Sequence, residues 1–440
     1  MTHTTLILTV GGSHQPIVTA IREIQPDYVF FICTGKDPAT GRSGSDIQIS
    51  GVSNCVKANP SDDKPTLPNI PTQTGLTPGQ YQIGYTLPAN ADGKPQHQLT
   101  SADDLDQIVA DCHRVIIECK ARWPEGKVVA DYTGGTKSMG AGLILAALEY
   151  PDVELKYIAG SRSDLIKVQD GSQYSADAAV ERIRHQRQIV PYLGAWQRFA
   201  YSEAEAGLRQ LSPPKHPELR GQYTRFRELS RAFAAWDNFD HQTASGILEN
   251  YAPNLPDTYK KAYLNTAKRI NDCHTGKGVP SKLLDLYLNA MRRAAQGRYD
   301  DAVARAYRLT EWTAQWLLET QCGVKTGDIK PEQLPEGWHI KPNRKGLIQV
   351  GLFDAWKLVG QKTRDQAAHF IAEQENYLQT LLEIRNASIL THGFKPVSQE
   401  DWQKWQHWFE QHFIPMLLAE TARVGIKDLP PQLPTEYGLE

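Results

Sequence analysis

The stretch Asp131-Tyr132-Thr133-Gly134-Gly135-Thr136-Lys137-Ser138-Met139 decides how the first part of this chain is read. It follows the apolar run Val128-Val129-Ala130, which reads as a strand. It precedes Gly140-Ala141-Gly142-Leu143-Ile144-Leu145-Ala146-Ala147-Leu148, which reads as a helix. Such a turn gathers backbone N–H groups, hydroxyls and the Lys137 ammonium at one point, which are the ingredients of a phosphate site. Helix N-termini leave N–H donors without intrahelical acceptors, and the helix dipole favours an anion there. Gly134 and Gly135 permit close backbone approach and positive φ. The turn is not a Walker A loop, because Thr136 rather than glycine precedes Lys137, and it is not the GxGxxG dinucleotide fingerprint. The plain alternative is a tight strand-to-helix turn capped by a threonine.

Two further strand ends share this chemistry. Thr5 to Val10 reads as a strand and runs into Gly11-Gly12-Ser13-His14-Gln15-Pro16, followed by a short helix from Ile17 to Ile24 with Pro16 at its first position. Tyr28 to Cys33 is a second continuous apolar run ending at Thr34-Gly35. Unbroken apolar strands are expected in a parallel sheet covered on both faces, and ligands of open α/β sheets bind beyond the carboxyl ends of strands. One crevice lined by Gly11, Gly12, Ser13, Thr34, Thr133, Gly134, Gly135, Thr136, Lys137 and Ser138 follows, with Asp131 bracing the turn by accepting backbone N–H bonds. Farther out, Leu105, Ile108, Val109, Cys112, Val115, Ile116 and Cys119 mark one buried face of a helix over 102–121, with Ser101 as its N-cap. Val153 to Ala159 is another strand. The insertion at about 36–100 is rich in Pro, Gly, Ser and Asn, with only Asp46–Val52 and Tyr81–Leu87 reading as extended.

The chain has 440 residues, room for two or three domains, and a formal net charge of -2, so any anion site must be local. The cysteines Cys33, Cys55, Cys112, Cys119, Cys273 and Cys322 contain no CxxC pair and read as reduced core thiols, with no metal site. A strand beginning by Thr5 leaves no room for a signal peptide, and no apolar stretch reaches the length of a membrane span. The expectation is a cytoplasmic protein.

From about Ser175 the pattern is helical. Leu283, Leu284, Leu286, Tyr287, Leu288 and Met291 open one strong helix. Gly297-Arg298-Tyr299-Asp300-Asp301 turns into another carrying Ala302, Val303, Ala306, Tyr307, Leu309, Trp312 and Leu317. Three helices follow at about 350–358, 364–391 and 398–424, then an extended tail from Asp428. Within the second of these, Leu378, Leu382, Arg385, Ile389 and His392 fall on one helical seam, so Arg385 and His392 share a face roughly 10 Å apart. Two copies related by a twofold axis can interleave such groups. His can move the proton of a ribose 2′-OH near neutral pH, Arg can stabilise charge on a phosphate, and Asn386 can orient either. The competing reading is a cation at a helix C-terminus beside Gly393. Arg292, Arg293, Arg298, Arg305 and Arg308 are candidates for guiding RNA, or a solvated face. Trp402, Trp405 and Trp408 read as core or dimer packing rather than base-stacking residues.

Taken together, the chain resembles the CRISPR-associated ribonucleases of type III systems that join a CARF domain to a HEPN domain. The resemblance is carried by the turn 131–139, by Gly297-Arg298-Tyr299-Asp300-Asp301-Ala302-Val303-Ala304-Arg305-Ala306-Tyr307-Arg308-Leu309-Thr310-Glu311, and by Arg385-Asn386 followed by His392, a spacing longer than many members have. It implies an α/β Rossmann-like N-terminal (CARF) domain at 1–170, a helical connector at 171–270 and an all-α HEPN domain at 271–440. It also implies a homodimer that binds a cyclic oligoadenylate, the tetra-adenylate favoured over the hexa-adenylate, across its twofold axis. Paired Arg385, Asn386 and His392 would cut single-stranded RNA without metal or other cofactor, leaving 2′,3′-cyclic phosphates. No DNA contact is expected, since no helix-turn-helix is recognisable. The alternatives are a ligand-binding regulator without nuclease activity, or a ring nuclease degrading the messenger in the CARF site.

Overall fold

The computed structural model describes residues 2–37, 40–59, 61, 64–88, 96–160, 172–364, 366–391 and 393–438. The chain divides into two compact units, Met1–Arg187 and Gln188–Glu440.

The first unit is built on a six-stranded sheet. Its order is Tyr174–Asp177, Val153–Ala159, Lys127–Asp131, Thr4–Thr9, Tyr28–Ile32, Tyr81–Ile83, parallel throughout except for the antiparallel edge strand Tyr174–Asp177. Leu6 lies opposite Val29 on one side and Val129 on the other, and Ile7 lies opposite Phe30 and Ala130. Because successive strand side chains point to opposite faces, these neighbours feed two separate cores. Ile7, Phe30 and Ala130 pack with Ile108, Cys112, Cys119 and Leu143 of the helices Leu105–Arg122 and Lys137–Leu148. Leu6, Val29, Phe31 and Val129 pack with Ile17, Val18 and Ile21 of the helix Gln15–Ile24. The apolar strands thus form a sheet covered on both faces, as their composition required, and the first unit is α/β and Rossmann-like.

Four local expectations are corrected. Asp46–Val52 is not extended. Ile47–Ser50 forms one helical turn, which buries Ile49 completely, and the strand begins only at Asn54. The N-cap of the next long helix is Asp104, whose side chain accepts from Gln107 N–H, while Ser101 accepts the N–H groups of Asp103 and Asp104 one turn earlier. The sequence pattern turns helical at about Ser175, but Tyr174–Asp177 is an edge strand. Cys33, Cys112 and Cys119 are buried free thiols, but Cys273 is exposed.

The second unit is all α. An aromatic core formed by Trp196, Tyr201, Tyr223, Phe226 and Phe233 holds the helices Tyr201–Gln210 and Pro217–Asp237. The extended tail closes over it: Leu433 is buried, Tyr201 Oη donates to the Pro434 carbonyl at 2.6 Å, and the Tyr437 ring packs on Phe226 at 4.6 Å. A larger core joins the helices Gly278–Ala295, Tyr299–Cys322, Leu352–Lys362, Gln366–Asn386, Gln399–Trp408 and Ile414–Ala422. Trp402, Trp405 and Trp408 are buried in it, as expected for packing residues. Gly323, at φ +64°, ends the helix Tyr299–Cys322 with a left-handed cap. Among the described residues no helix is long and apolar enough to cross a membrane.

Candidate functional site

In the first unit the turn after Lys127–Asp131 is fixed from several sides. Thr136 is the N-cap of Lys137–Leu148. Its Oγ1 accepts the Met139 N–H at 3.1 Å and donates to the Ala102 carbonyl at 2.5 Å. Asp131 is 1 % exposed and accepts the Thr133 N–H at 2.9 Å, the bracing role its position suggested. Burial pushes its carboxyl up to about 6, against the pull of the Thr133 hydrogen bonds and the Lys156 ammonium. Thr133 Oγ1 accepts the Ile158 N–H at 2.7 Å, tying the turn to the next strand.

The glycines are there for contact. A Cβ on Gly11 would stand 2.7 Å from Gly135 N, and one on Gly134 would stand 2.0 Å from the Thr9 carbonyl oxygen. Thr9 Oγ1 in turn donates to the Gly134 carbonyl at 2.7 Å. The loops after Thr4–Thr9 and Lys127–Asp131 therefore meet backbone to backbone. Gly135, at φ +83°, turns the chain into the helix.

These contacts sort the ten expected lining residues. The structure brings the backbones of Gly11 and Gly135 together, with Gly134 against Thr9. Gly12, Ser13 and Lys137 are exposed, and Ser138 sits in the first helical turn. The hydroxyl of Thr136 is spent on Met139 and Ala102. Thr34 is also spent: its backbone N–H donates to Ser45 Oγ at 2.9 Å and its Oγ1 accepts the Ser45 N–H at 3.1 Å. Sequence reasoning missed Gln48, which is buried and donates through Nε2 to the Gly11 carbonyl. Its signal was hidden because Ile47-Gln48-Ile49-Ser50 alternates like a strand.

In the second unit the helix Gln366–Asn386 ends at Asn386, five residues short of the expected 391. The seam from Leu378 to His392 is therefore not one helical face. The chain turns back at once: Thr391 Oγ1 donates to the Arg385 carbonyl at 2.6 Å, and the Gly393 N–H donates to Ser388 at 3.2 Å. His392 lies outside the described residues. Arg385 occupies the last turn of its helix, where a cation is favoured by the dipole. Its guanidinium lies 4.1 Å over the ring of Tyr307, and Nη1 donates to Asn386 Oδ1 at 3.1 Å. No other acceptor engages this guanidinium among the described residues. A few residues farther along the chain, Ile389, Leu390 and Phe394 are 61 %, 54 % and 92 % exposed.

Of the arginines considered for RNA, Arg292 and Arg293 are corrected outright, being neither guides nor a solvated face. Arg292 is fully buried, with Nε 2.8 Å from Asp237 Oδ1, and Arg293 Nη2 is 2.8 Å from Asp237 Oδ2. Asp285 joins the cluster, accepting Trp236 Nε1 at 3.0 Å and facing His241 Nε2 at 2.8 Å. Arg305 is half-buried against Asn289 and Asp301. Arg298 and Arg308 are exposed, the first paired with Asp301 and the second with Glu311.

Residues 271–413 match the family model of the Csm6 HEPN domain. Among solved structures, the chain is similar to Csm6 of Enterococcus italicus bound to cyclic hexa-2'-fluoro-hexa-dAMP, with a TM-score of 0.57 and 12% identity over 97% of this chain and 96% of that one. At that identity the likeness is one of fold. No curated protein sequence matches. The chain thus joins an α/β Rossmann-like unit to a helical unit within which residues 271–413 match a Csm6 HEPN domain.

Proposed function

We propose that this protein is a cyclic-oligoadenylate-activated endoribonuclease of type III CRISPR antiviral defence. The reading assigns residues 1–170 to sensing, 171–270 to a connector and 271–440 to RNA cleavage. The observation that carries it is Arg385-Asn386, a guanidinium held at a helix end with donors to spare, inside the residues that match a HEPN domain. A second copy of the chain completes the site. Exposed Ile389, Leu390 and Phe394, a few residues beyond Arg385, are apolar surface of the kind a partner covers, and a symmetric ring ligand suits a twofold dimer.

In this mechanism His392 of one copy takes the proton of a ribose 2′-OH as the 2′-oxygen attacks the adjacent phosphorus. The P–O5′ bond breaks, and the leaving 5′-oxygen receives a proton from the other copy's His392. The products are a 2′,3′-cyclic phosphate and a 5′-hydroxyl. Arg385 neutralises the charge that builds on the phosphate oxygens, and Asn386 holds Arg385 in place. These groups supply acid, base and charge stabilisation by themselves, so cleavage is expected to persist in EDTA. In the first unit Gly12, Ser13, Thr133, Lys137, Ser138 and the adjoining N–H groups face the messenger phosphates, while Gly11, Gly134, Gly135, Thr136 and Thr34 shape the crevice. The tetra-adenylate is the ring expected from the resemblance, and the Enterococcus italicus complex holds a ring of six nucleotides, so both belong in the assay. The test is cleavage of labelled single-stranded RNA by the full chain with each ring, with end analysis of the products. Cleavage without dependence on any ring, or 3′-hydroxyl products, would refute it.

A further inference from the structure

Tyr307 was read from the sequence as one apolar position among several on its helix, yet its neighbours there are treated differently. Val303, Ala306, Leu309 and Thr310 are buried in the core, whereas Tyr307 is half-buried at its edge. What its ring meets is the Arg385 guanidinium, at 4.1 Å from the ring centroid. That is well inside the range of cation–π attraction, and partial burial strengthens it. The planar guanidinium has five N–H donors. One reaches Asn386 Oδ1 at 3.1 Å, so a face contact and an in-plane contact together restrict how the group can turn. An arginine left free at a helix end would sample many rotamers, and fixing it on substrate binding would cost entropy.

We propose that Tyr307 is a positioning residue that holds the Arg385 guanidinium as a preset platform, with its free donors aimed at the phosphate of a bound RNA. The inference rests on the proposal that Arg385 serves RNA cleavage. It assigns the helix Tyr299–Cys322 a part in the reaction beyond packing.

The experiment measures kcat and KM for RNA cleavage at saturating activator, with unfolding midpoints, for Tyr307→Phe, Tyr307→Leu and the full chain carrying fluorinated phenylalanines at 307. Arg385→Ala is the reference. Phe keeps the π face and is expected to retain kcat within about twofold. Leu keeps apolar bulk without that face and is expected to lower kcat by about tenfold, KM moving less, as loss of a partly desolvated cation–π contact implies. In the fluorinated series kcat should fall stepwise as fluorines drain the ring's negative face, at constant unfolding midpoint. A Leu variant as active as Phe, or a fluorinated series with unchanged kcat, would overturn the inference while leaving the nuclease reading intact. An Arg385→Ala protein that still cleaves would overturn both.

Discussion

The turn at 131–138 and the helix end at Arg385 hold their polar groups by opposite means. The first is made of backbone. Gly11 touches Gly135, Thr9 and Gly134 exchange close contacts, and Asp131 and Thr136 bind the chain to itself, so the donors offered are N–H groups and one exposed lysine. The second is made of side chains on separate helices, Tyr307 beneath Arg385 with Asn386 at its edge. A site of main-chain donors is rigid because the sheet is rigid. A site of side chains must be assembled from parts distant in sequence.

That contrast gives measurable differences. The largest effect belongs to the side-chain site: Arg385→Ala should lower kcat on RNA by about a hundredfold or more, because transition-state charge loses its partner, while messenger affinity is unchanged. A variant that lost ring binding as well would erase the distinction between the sites. Next is the buried cluster inside the helical unit. Asp237→Ala strands Arg293 without its carboxylate and leaves Arg292 only the carboxylate of Asp285, 3.7 Å away, and should cost about 3–5 kcal/mol in chemical denaturation, a loss the first unit does not share. Asp131 gives a pH signature confined to the first unit. Its carboxyl, at about 6, lies above its unfolded value. The cost of burying the charge is therefore fully present above pH 6 and fades as pH falls toward the ordinary carboxylate range. Wild type should gain stability relative to Asp131→Asn between pH 7 and pH 4, by on the order of 2 kcal/mol, read from denaturation of each protein. A parallel pH course would show that the carboxyl is not held in that state. The smallest effect is Lys137→Ala: the lysine is exposed, so ring affinity should weaken about three- to tenfold and more at low salt, with kcat at saturation unmoved.

The difference between the sites also explains what could be read from the chain beforehand. Parallel strands such as Tyr28–Ile32 are continuous apolar runs, and Gly134-Gly135-Thr136 marks the turn wherever it occurs, so the α/β half was legible from local pattern. Asp46–Val52 misled because a buried helical turn and a strand both place Ile49 inward; the choice is made by Asp46 N–H bonding to the Thr34 carbonyl, a tertiary contact. Arg385 was legible as a residue, but its setting was not. A helical seam extrapolated through Ile389 and Leu390 ignores that Thr391 closes the helix by binding the Arg385 carbonyl, and no spacing rule links Tyr307 to position 385. The buried arginines failed for a related reason: Arg292 and Arg293 look like a charged surface until Asp237, on another helix, is placed between them.

The central claim is that a ring nucleotide bound by the first unit switches on cleavage by Arg385 and His392 in the second. Its most direct test is the rate of single-stranded RNA cleavage by the full chain, with and without cyclic tetra- and hexa-adenylate, beside the His392→Ala protein. The account predicts a large rise in rate with one of the rings and none in the variant. Equal cleavage with and without both rings, or undiminished cleavage by His392→Ala, would contradict it.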